Sequence, residues 1–298
     1  MRSHAIRLAI ALAGLSTAPA AAQDAVAQGQ APEGTTIIVR PPLTENERKQ
    51  ELREFTKQIV RPPPIHQPIA KFFFPVCPEV RGLTPADAEA IAERMRQNAR
   101  ALGIGANDDP KCTPTILVAF MSPAAGPPEK WLSADSPQLA HLAARERERV
   151  LSEASPVRAW NRVEVRDFYG QPQVVGETTF IDPQPKSKTD PIVTTEITGA
   201  AVLIARDAAE GLTLAQLADY ATMRTLIGTG ALPDGGQTPV QTILSLFADA
   251  DPPAEMTSFD KALVAELYNA SQNSSARRVY NDIAAAAVRS EVKTSREE

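Results

Sequence analysis

The segment from residue 71 to residue 121 constrains the fold of this chain more than any other part of the sequence. Its residues 84–87, Thr-Pro-Ala-Asp, are a strong helix start, because a capping hydroxyl precedes a proline and an acidic residue in the first turn. Apolar residues then recur at steps of three and four as far as Leu102, and Gly103 is typical of a helix end. The run 115–121 is apolar after its first residue, as expected for a central strand. The segment therefore predicts a strand–helix–strand unit.

Residues 1–22 have the three parts of a secretory signal. Two arginines precede a short apolar run over residues 8–15, and Ala20-Ala21-Ala22 offers a small-residue cleavage pattern. A membrane anchor is the alternative, but spanning a bilayer takes about 20 apolar residues and this run is much shorter. We therefore expect cleavage before Gln23 and a periplasmic or secreted mature protein without a transmembrane segment.

Cys77 and Cys112 are the only cysteines of the chain. A disulfide is the expected state, because exported thiols tend to pair. A reactive thiol pair and a metal site are the alternatives, but there is no Cys-x-x-Cys spacing and no histidine close in sequence. In the chain-entropy model, closing a loop of this length adds roughly 4 kcal/mol. The bond would also link the two ends of the strand–helix–strand unit covalently.

Residues 23–70 are predicted to form an N-terminal arm with a loose lead-in, a short β-branched strand over 35–39 and a proline-rich linker. Between these, Thr44 and Glu47 fit a capping box that opens a helix. The apolar residues of this helix lie on one narrow stripe, which contains Leu52, Phe55 and Ile59. We expect the arm to pack on the main domain; a partner-binding segment is the alternative.

Residues 71–290 are predicted to form a single α+β domain with a small mixed sheet, one disulfide and helices mostly in the C-terminal part, followed by a disordered tail over 291–298. A helix is expected over 137–153. In the next strand Arg162, Glu164 and Arg166 alternate with valines, which indicates one wet face. Residues 192–205 predict one or two further strands, broken at Gly199. Helix starts follow at four capping residues: Thr213, Thr238, Thr257 and Ser275.

Composition limits the chemistry of this chain. Its 36 acidic residues outnumber its 31 basic ones, giving a formal charge of −5, which argues against a nucleic-acid partner. It has only 3 histidines, and none form a pair at the helical spacing of a zinc His-Glu-x-x-His site. The nucleophile elbow, the phosphate-binding loop and the dinucleotide glycine fingerprint are also missing from the sequence. We therefore predict no metal, no cofactor and no assembled catalytic residues.

Three isolated polar groups could still have a functional role. His141 could orient a serine such as Ser136, although a surface or packing role is expected. Residues 249–251 with Glu255 could bind calcium weakly, but their spacing is more typical of a solvated turn. The third group lies on the helix predicted over 213–227, which is apolar around most of its circumference.

Charged residues on so apolar a helix need partners. The candidate polar cluster is therefore Asp219, Tyr220 and Arg224. Because Asp219 and Arg224 are five residues apart, they are expected on different faces of the helix. A tertiary ion pair is a better expectation for them than catalysis.

Residues 76–83 (Val-Cys-Pro-Glu-Val-Arg-Gly-Leu), Cys112-Thr113-Pro114 and residues 217–224 (Leu-Ala-Asp-Tyr-Ala-Thr-Met-Arg) occur in an order that resembles a family of uncharacterised exported proteins of Gram-negative bacteria. The resemblance covers most of residues 35–290 and implies no particular activity. Residues 256–268 are also similar to a segment of secreted zinc-dependent, zincin-like proteases. In those proteins a His-Glu-x-x-His helix precedes this segment, whereas the helix at 213–227 here contains no histidine. Peptidase activity is therefore not implied.

The predicted export signal and the absence of known catalytic motifs from the sequence lead to one functional hypothesis and one alternative. The leading hypothesis is a non-enzymatic periplasmic binding or envelope-associated module, with an envelope protein as a possible partner. The alternative is a divergent hydrolase, built on a zincin-like frame or on a carboxylate site near Asp219.

Overall fold

The computed structural model describes the following residues: 43–64, 67–167, 170–172, 193–232 and 238–297. The predicted signal peptide, the lead-in of the arm, the strand at 35–39 and His66 lie outside these residues. From Leu43 onward the chain forms one compact unit.

Six α-helices and a four-stranded sheet make up the described chain. The helices are α1 (Glu45–Ile59), α2 (Pro85–Ala101), α3 (Ala144–Leu151), α4 (Leu214–Leu226), α5 (Ser258–Asn269) and α6 (Ala276–Glu297). The strands are β1 (Pro78–Arg81), β2 (Ile116–Met121), β3 (Val157–Arg166) and β4 (Thr194–Ala205), in the order β1-β2-β4-β3. β1, β2 and β4 are parallel, and β3 pairs antiparallel with β4. The predicted α+β class with a small mixed sheet and mostly C-terminal helices is confirmed.

The strand–helix–strand unit is β1–α2–β2, and the disulfide is formed. Cys77 and Cys112 are bonded with their Cα atoms 6.3 Å apart. The same corner is reinforced by hydrogen bonds, because the Cys77 N–H donates to Thr115 Oγ1 and the Ile116 N–H donates to the Cys77 carbonyl. The bond therefore joins the start of β1 to the loop before β2, as the sequence predicts.

The sheet is covered on both faces by apolar side chains. Along the central strand β2, Ile116, Val118 and Phe120 enter the main core with residues of α2 and α4. The intervening residues of β2 pack against a smaller cluster that contains Leu139, Leu142, Val150 and Trp160. The main core places α4 between the sheet and the outer helices, which explains why its circumference is so apolar.

Helix α1 is an integral part of the core rather than a loose arm. Its capping box is present, and Leu52, Phe55 and Ile59 are all buried. The helix packs against α6, and the ring of Phe55 lies 5.6 Å from that of Phe259 in α5. The described part of the predicted arm thus packs on the helices of the C-terminal part.

Several element boundaries differ from the prediction. Only Ala144–Leu151 is α-helical within the expected 137–153 helix, and it follows a short 3-10 turn at Pro137–Leu139. β4 continues through Gly199 without a break. Thr242, not Thr238, caps the short 3-10 helix Ile243–Ser245.

Two further expectations, for the strand β3 and for the end of α6, are wrong. β3 does not have one wet face, because its register shifts between Arg162 and Val163 and leaves Val163 42% exposed. α6 continues to Glu297, where a disordered tail from 291 was expected. An ion pair between Arg48 and Glu291 fastens this extension to α1. No helix in the described part of the chain is both long and apolar enough to cross a membrane.

Candidate functional site

The predicted polar cluster lies on α4, and the structure divides it into two separate sets of contacts. Asp219, Tyr220 and Arg224 are all buried. Asp219 faces α2 and the start of α5, whereas Tyr220 and Arg224 interact with each other and with Glu153 after α3. The prediction of different faces, with tertiary ion-pair partners, is confirmed.

Asp219 has no free position on its carboxylate. Arg94 donates to both oxygens, from Nε at 2.9 Å and Nη2 at 3.0 Å. Asn98 Nδ2 donates to Oδ1 at 2.7 Å, and the Met256 N–H donates to Oδ2 at 2.8 Å. Burial alone would raise the pKa of this carboxyl, but these donors hold it below the ordinary value. Asp219 thus anchors α4 to α2 and to the start of α5.

Arg224 forms a buried ion pair on the other side of the helix. Its Nη2 donates to both carboxylate oxygens of Glu153, at 2.8 and 3.0 Å, and its Nη1 donates to Tyr220 Oη at 2.6 Å. The Tyr220 ring meets Phe247 edge-on with ring centres 5.0 Å apart, which fixes the hydroxyl. Within the described residues Arg224 Nε has no hydrogen-bond partner.

A second set of charges lies next to this pair and was missed by sequence reasoning. Glu146 on α3 bridges two arginines, because its Oε1 lies 2.7 Å from Arg61 Nη1 and 2.5 Å from Arg149 Nη2. Its Oε2 accepts from Arg149 Nε at 3.0 Å. Arg61 also donates from Nη2 to the Ala159 carbonyl at 2.7 Å. Like Arg224 Nε, the buried Nε of Arg61 has no partner among the described residues.

We call the five charged residues together the arginine cluster: Arg61, Glu146, Arg149, Glu153 and Arg224. Side-chain exposure falls from the surface inward, with 35% at Arg149, 28% at Glu146, 16% at Arg61, 5% at Glu153 and 0% at Arg224. Three guanidinium groups face two carboxylates, so the cluster has a surplus positive charge.

The surplus positive charge acts on Arg61. Burial and the charges of Arg149 and Arg224 together lower the pKa of Arg61 to about 9, although Glu146 and Glu153 act in the opposite direction. The cluster therefore has electrostatic room for one more anion.

Two glycines bring the loop after α4 against the cluster. The Gly230 N–H donates to the Ile59 carbonyl at 2.9 Å, which sets the loop beside Arg61. A Cβ at Gly230 would lie 3.4 Å from Arg149 Nη1, and one at Gly228 would lie 2.8 Å from Asn161 Oδ1. Gly228 also has φ +65°, a conformation that L side chains rarely adopt. The loop backbone can approach the cluster because these positions have no side chain.

Arg61 also belongs to a series of side chains that cap the outer edge of β3. The Pro156 carbonyl accepts from the Ala205 N–H of β4, so the carbonyls at 157, 159 and 161 face away from the sheet. A basic side chain lies against each of these carbonyls. Arg158 donates to the Val157 carbonyl at 2.8 Å, and Arg61 donates to the Ala159 carbonyl at 2.7 Å. His141 lies beside the Asn161 carbonyl. Side chains thus occupy an edge that would otherwise be open to another strand.

The other sequence candidates have local roles. His141 lies beside the Asn161 carbonyl, whereas the Ser136 hydroxyl accepts from the Ser133 N–H at 2.8 Å. Asp249 accepts from the Asp251 N–H at 3.1 Å, as in a turn.

Glu255, the remaining member of the predicted acidic loop, pairs with Arg94 at 3.1 Å. Among the described residues there is no group of three or more His, Cys, Asp or Glu side chains placed to hold a metal ion. A shallow depression of about 550 Å³ borders Asp135, Arg147 and Glu148. It contacts α3 at residues other than those of the arginine cluster.

One signal could have revealed the arginine cluster. The run 145–149 is typical of a solvated face of mixed charge, but Glu146, Arg149 and Glu153 recur at steps of three and four. That spacing places Glu146 and Arg149 at neighbouring positions on the surface of α3, and Glu153 follows just after the helix ends. The partner Arg61 comes from a distant part of the chain, where no local pattern marks it.

Comparisons with protein-family models, with curated proteins and with solved structures each found no match to this chain. The resemblances described from the sequence therefore remain predictions.

Proposed function

We propose that this chain is a non-enzymatic binding or envelope-associated module of an exported protein. The proposal rests on the hydrogen bonding of Asp219, the carboxylate on which a hydrolase would most readily be built. All of its acceptor positions are taken by Arg94, Asn98 and the Met256 N–H. A carboxylate held in this way cannot take a proton from water without breaking the contact between α4 and α2.

Two further features support a binding role outside the cytoplasm. The disulfide between Cys77 and Cys112 is of the kind that persists in oxidising compartments, in agreement with the predicted signal over residues 1–22. The arginine cluster reaches the surface through Arg149 and Glu146, and its surplus charge favours an acidic partner. An envelope protein or an anionic small molecule fits this chemistry, whereas the acidic balance of the whole chain disfavours nucleic acid.

The test compares the mature wild-type protein with Asp219→Asn. Cell fractionation and mass spectrometry should find the chain in the periplasm or medium with its N-terminus at Gln23. Metal analysis of the purified protein should find no stoichiometric zinc, and a panel of peptide, ester and glycoside substrates should remain intact.

Two results would overturn the proposal. One is stoichiometric zinc in the purified chain. The other is hydrolysis of any substrate that disappears in a folded Asp219→Asn protein, because this would assign a catalytic role to the carboxylate.

A further inference from the structure

The arginine cluster has a ready-made place for a carboxylate. Arg149 binds Glu146 through Nε and Nη2, the two-point geometry with which guanidinium groups recognise carboxylates. Arg61 Nη1 forms an ion pair with the same carboxylate, 2.7 Å from Glu146 Oε1. The two arginines come from different elements, so they converge on one carboxylate through the tertiary fold.

The occupant of this place is the least buried carboxylate of the cluster. Glu146 is 28% exposed and, among the described residues, its carboxylate contacts arginines alone, whereas Glu153 is 5% exposed and held by the buried Arg224. A rotation of the Glu146 side chain toward solvent would leave Arg61 and Arg149 facing a new ligand. The displaced carboxylate would be hydrated, so its exchange costs little.

The remaining groups indicate what the ligand must supply. With Glu146 in place the cluster still has more positive than negative charges, and the buried Nε atoms of Arg61 and Arg224 have no partner within the described residues. A ligand carboxylate that replaces Glu146 leaves this balance unchanged, and a second negative charge on the ligand would offset the surplus positive charge.

We propose that Arg61 and Arg149 form a binding site for a carboxylate group of a ligand, and that Glu146 is the internal carboxylate that the ligand displaces. This inference rests on the proposed binding function and names the ligand class. The carboxylate belongs to a small organic acid or to the C-terminus of a peptide, since both present the same planar group. A phosphate has a tetrahedral shape that matches the Glu146 position less well.

The experiment measures thermal unfolding and calorimetric binding of the full mature chain at constant ionic strength. The probes are sodium acetate, sodium succinate, sodium phosphate and sodium chloride, and one short peptide with either a free or an amidated C-terminus. We expect acetate or succinate to raise the unfolding temperature of the wild type above the chloride reference. If the free peptide binds and its amidated form does not, the ligand is a chain terminus; if only the small acids bind, it is an organic acid. Both results support the site.

Three variants separate this site from general charge effects. Glu146→Gln removes the internal competitor and should bind acetate on the order of tenfold more tightly than the wild type. Arg149→Gln should lose the acetate effect. Arg147→Gln, which removes a charge from the same helix but outside the arginine cluster, is the matched control and should behave as the wild type.

The proposal is overturned if acetate, succinate and the free peptide stabilise the wild type no more than chloride does. It is also overturned if Arg149→Gln keeps the acetate effect, if Glu146→Gln binds acetate no more tightly than the wild type, or if phosphate binds more tightly than acetate. If Glu146→Gln does not fold, the effect of acetate on the wild type and on Arg149→Gln still tests the proposal. None of these outcomes bears on zinc content or hydrolysis, which test the proposed function separately.

Discussion

Asp219 and Asp260 are both buried carboxylates, and their pKa values are shifted in opposite directions. A guanidinium, an amide and a backbone N–H hold the pKa of Asp219 below the ordinary value despite burial. Within the described residues Asp260 receives hydrogen bonds from neutral donors on Thr242, Ile243 and Thr257, and burial raises its pKa. Hydrogen bonds lower the pKa of both carboxyls, but they outweigh burial at Asp219, where a guanidinium is among the donors.

The contrast predicts the effect of Asp219→Asn. Removing the carboxylate breaks the paired hydrogen bonds from Arg94. The expected loss is about 2–3 kcal/mol of unfolding free energy at neutral pH. This is less than for a fully buried ion pair, because Arg94 is 33% exposed. A depressed pKa gives stability that is present above the unfolded-state pKa of 3.8 and lost as pH falls through the folded-state value. The difference between wild type and variant in urea unfolding should therefore shrink at acidic pH. The exposed Asp251→Asn is the control, and a pH-independent difference would contradict the explanation.

Lys71 predicts the opposite pH dependence. Its Nζ donates to three carbonyls at the end of α5, from Leu267, Tyr268 and Ala270. Burial lowers the pKa of Lys71 to about 8 from the ordinary 10.5. The unfolded chain then binds more protons between these values, so the contribution of Lys71 to the unfolding free energy rises with pH across this window.

The measurement for Lys71 is urea unfolding of the wild type and of Lys71→Met at a series of alkaline pH values. The unfolding free energy of the wild type should increase relative to that of the variant as pH rises from about 8 toward 10.5. Lys261→Met, on the surface of α5, provides the control. Parallel curves for the wild type and Lys71→Met would show that Lys71 has an ordinary pKa in the fold.

At the scale of elements, the edge of β3 is the feature with the clearest consequence. Arg158 is 1% exposed and donates to the carbonyls of Ser155 and Val157. Its guanidinium occupies the position that a neighbouring strand would take. The outer edge of the sheet is thus closed by side chains from within the same chain.

Replacing Arg158 with methionine tests this role. Two carbonyls would lose their donor, which should cost about 2 kcal/mol of unfolding free energy and expose the strand edge. We expect concentration-dependent association in analytical ultracentrifugation. Arg162→Met is the matched control, since Arg162 lies on the same strand and is exposed. A variant that stays monomeric at high concentration would contradict the edge-capping role.

At the scale of the whole molecule, the disulfide connects the two strands that flank α2. The Cys77→Ala, Cys112→Ala double variant should lose about 3–4 kcal/mol of unfolding free energy, because the unfolded chain regains the entropy of the open loop. The fold itself should persist, since the Cys77 carbonyl still accepts from the Ile116 N–H. Chemical denaturation of the oxidised wild type, the reduced wild type and the variant gives the comparison. Equal stabilities of the three would contradict the prediction.

The sequence predicts those parts of the fold that local chemistry determines. The helix caps at Thr44, Thr213 and Thr257 depend on residues close in sequence, and all three are present. The register shift between Arg162 and Val163 could not be predicted, because it depends on the partner strand β4, which is reached through a long connection.

The candidate site was likewise predictable from the sequence only in part. The need of Asp219 and Arg224 for partners follows from the apolar character of α4. The partners themselves, Arg94 and Glu153, come from distant segments. Arg61 has neighbours from two elements distant in sequence, α3 and β3, so its role becomes visible only in the folded chain.

The packing of α1 against α6 has a consequence for the order of events during synthesis. The apolar stripe of α1 is made near the beginning of the chain, but the helix that covers it is made last. Until α6 emerges from the ribosome, Leu52 and Ile59 have no complete surface to pack against, and the native core cannot close.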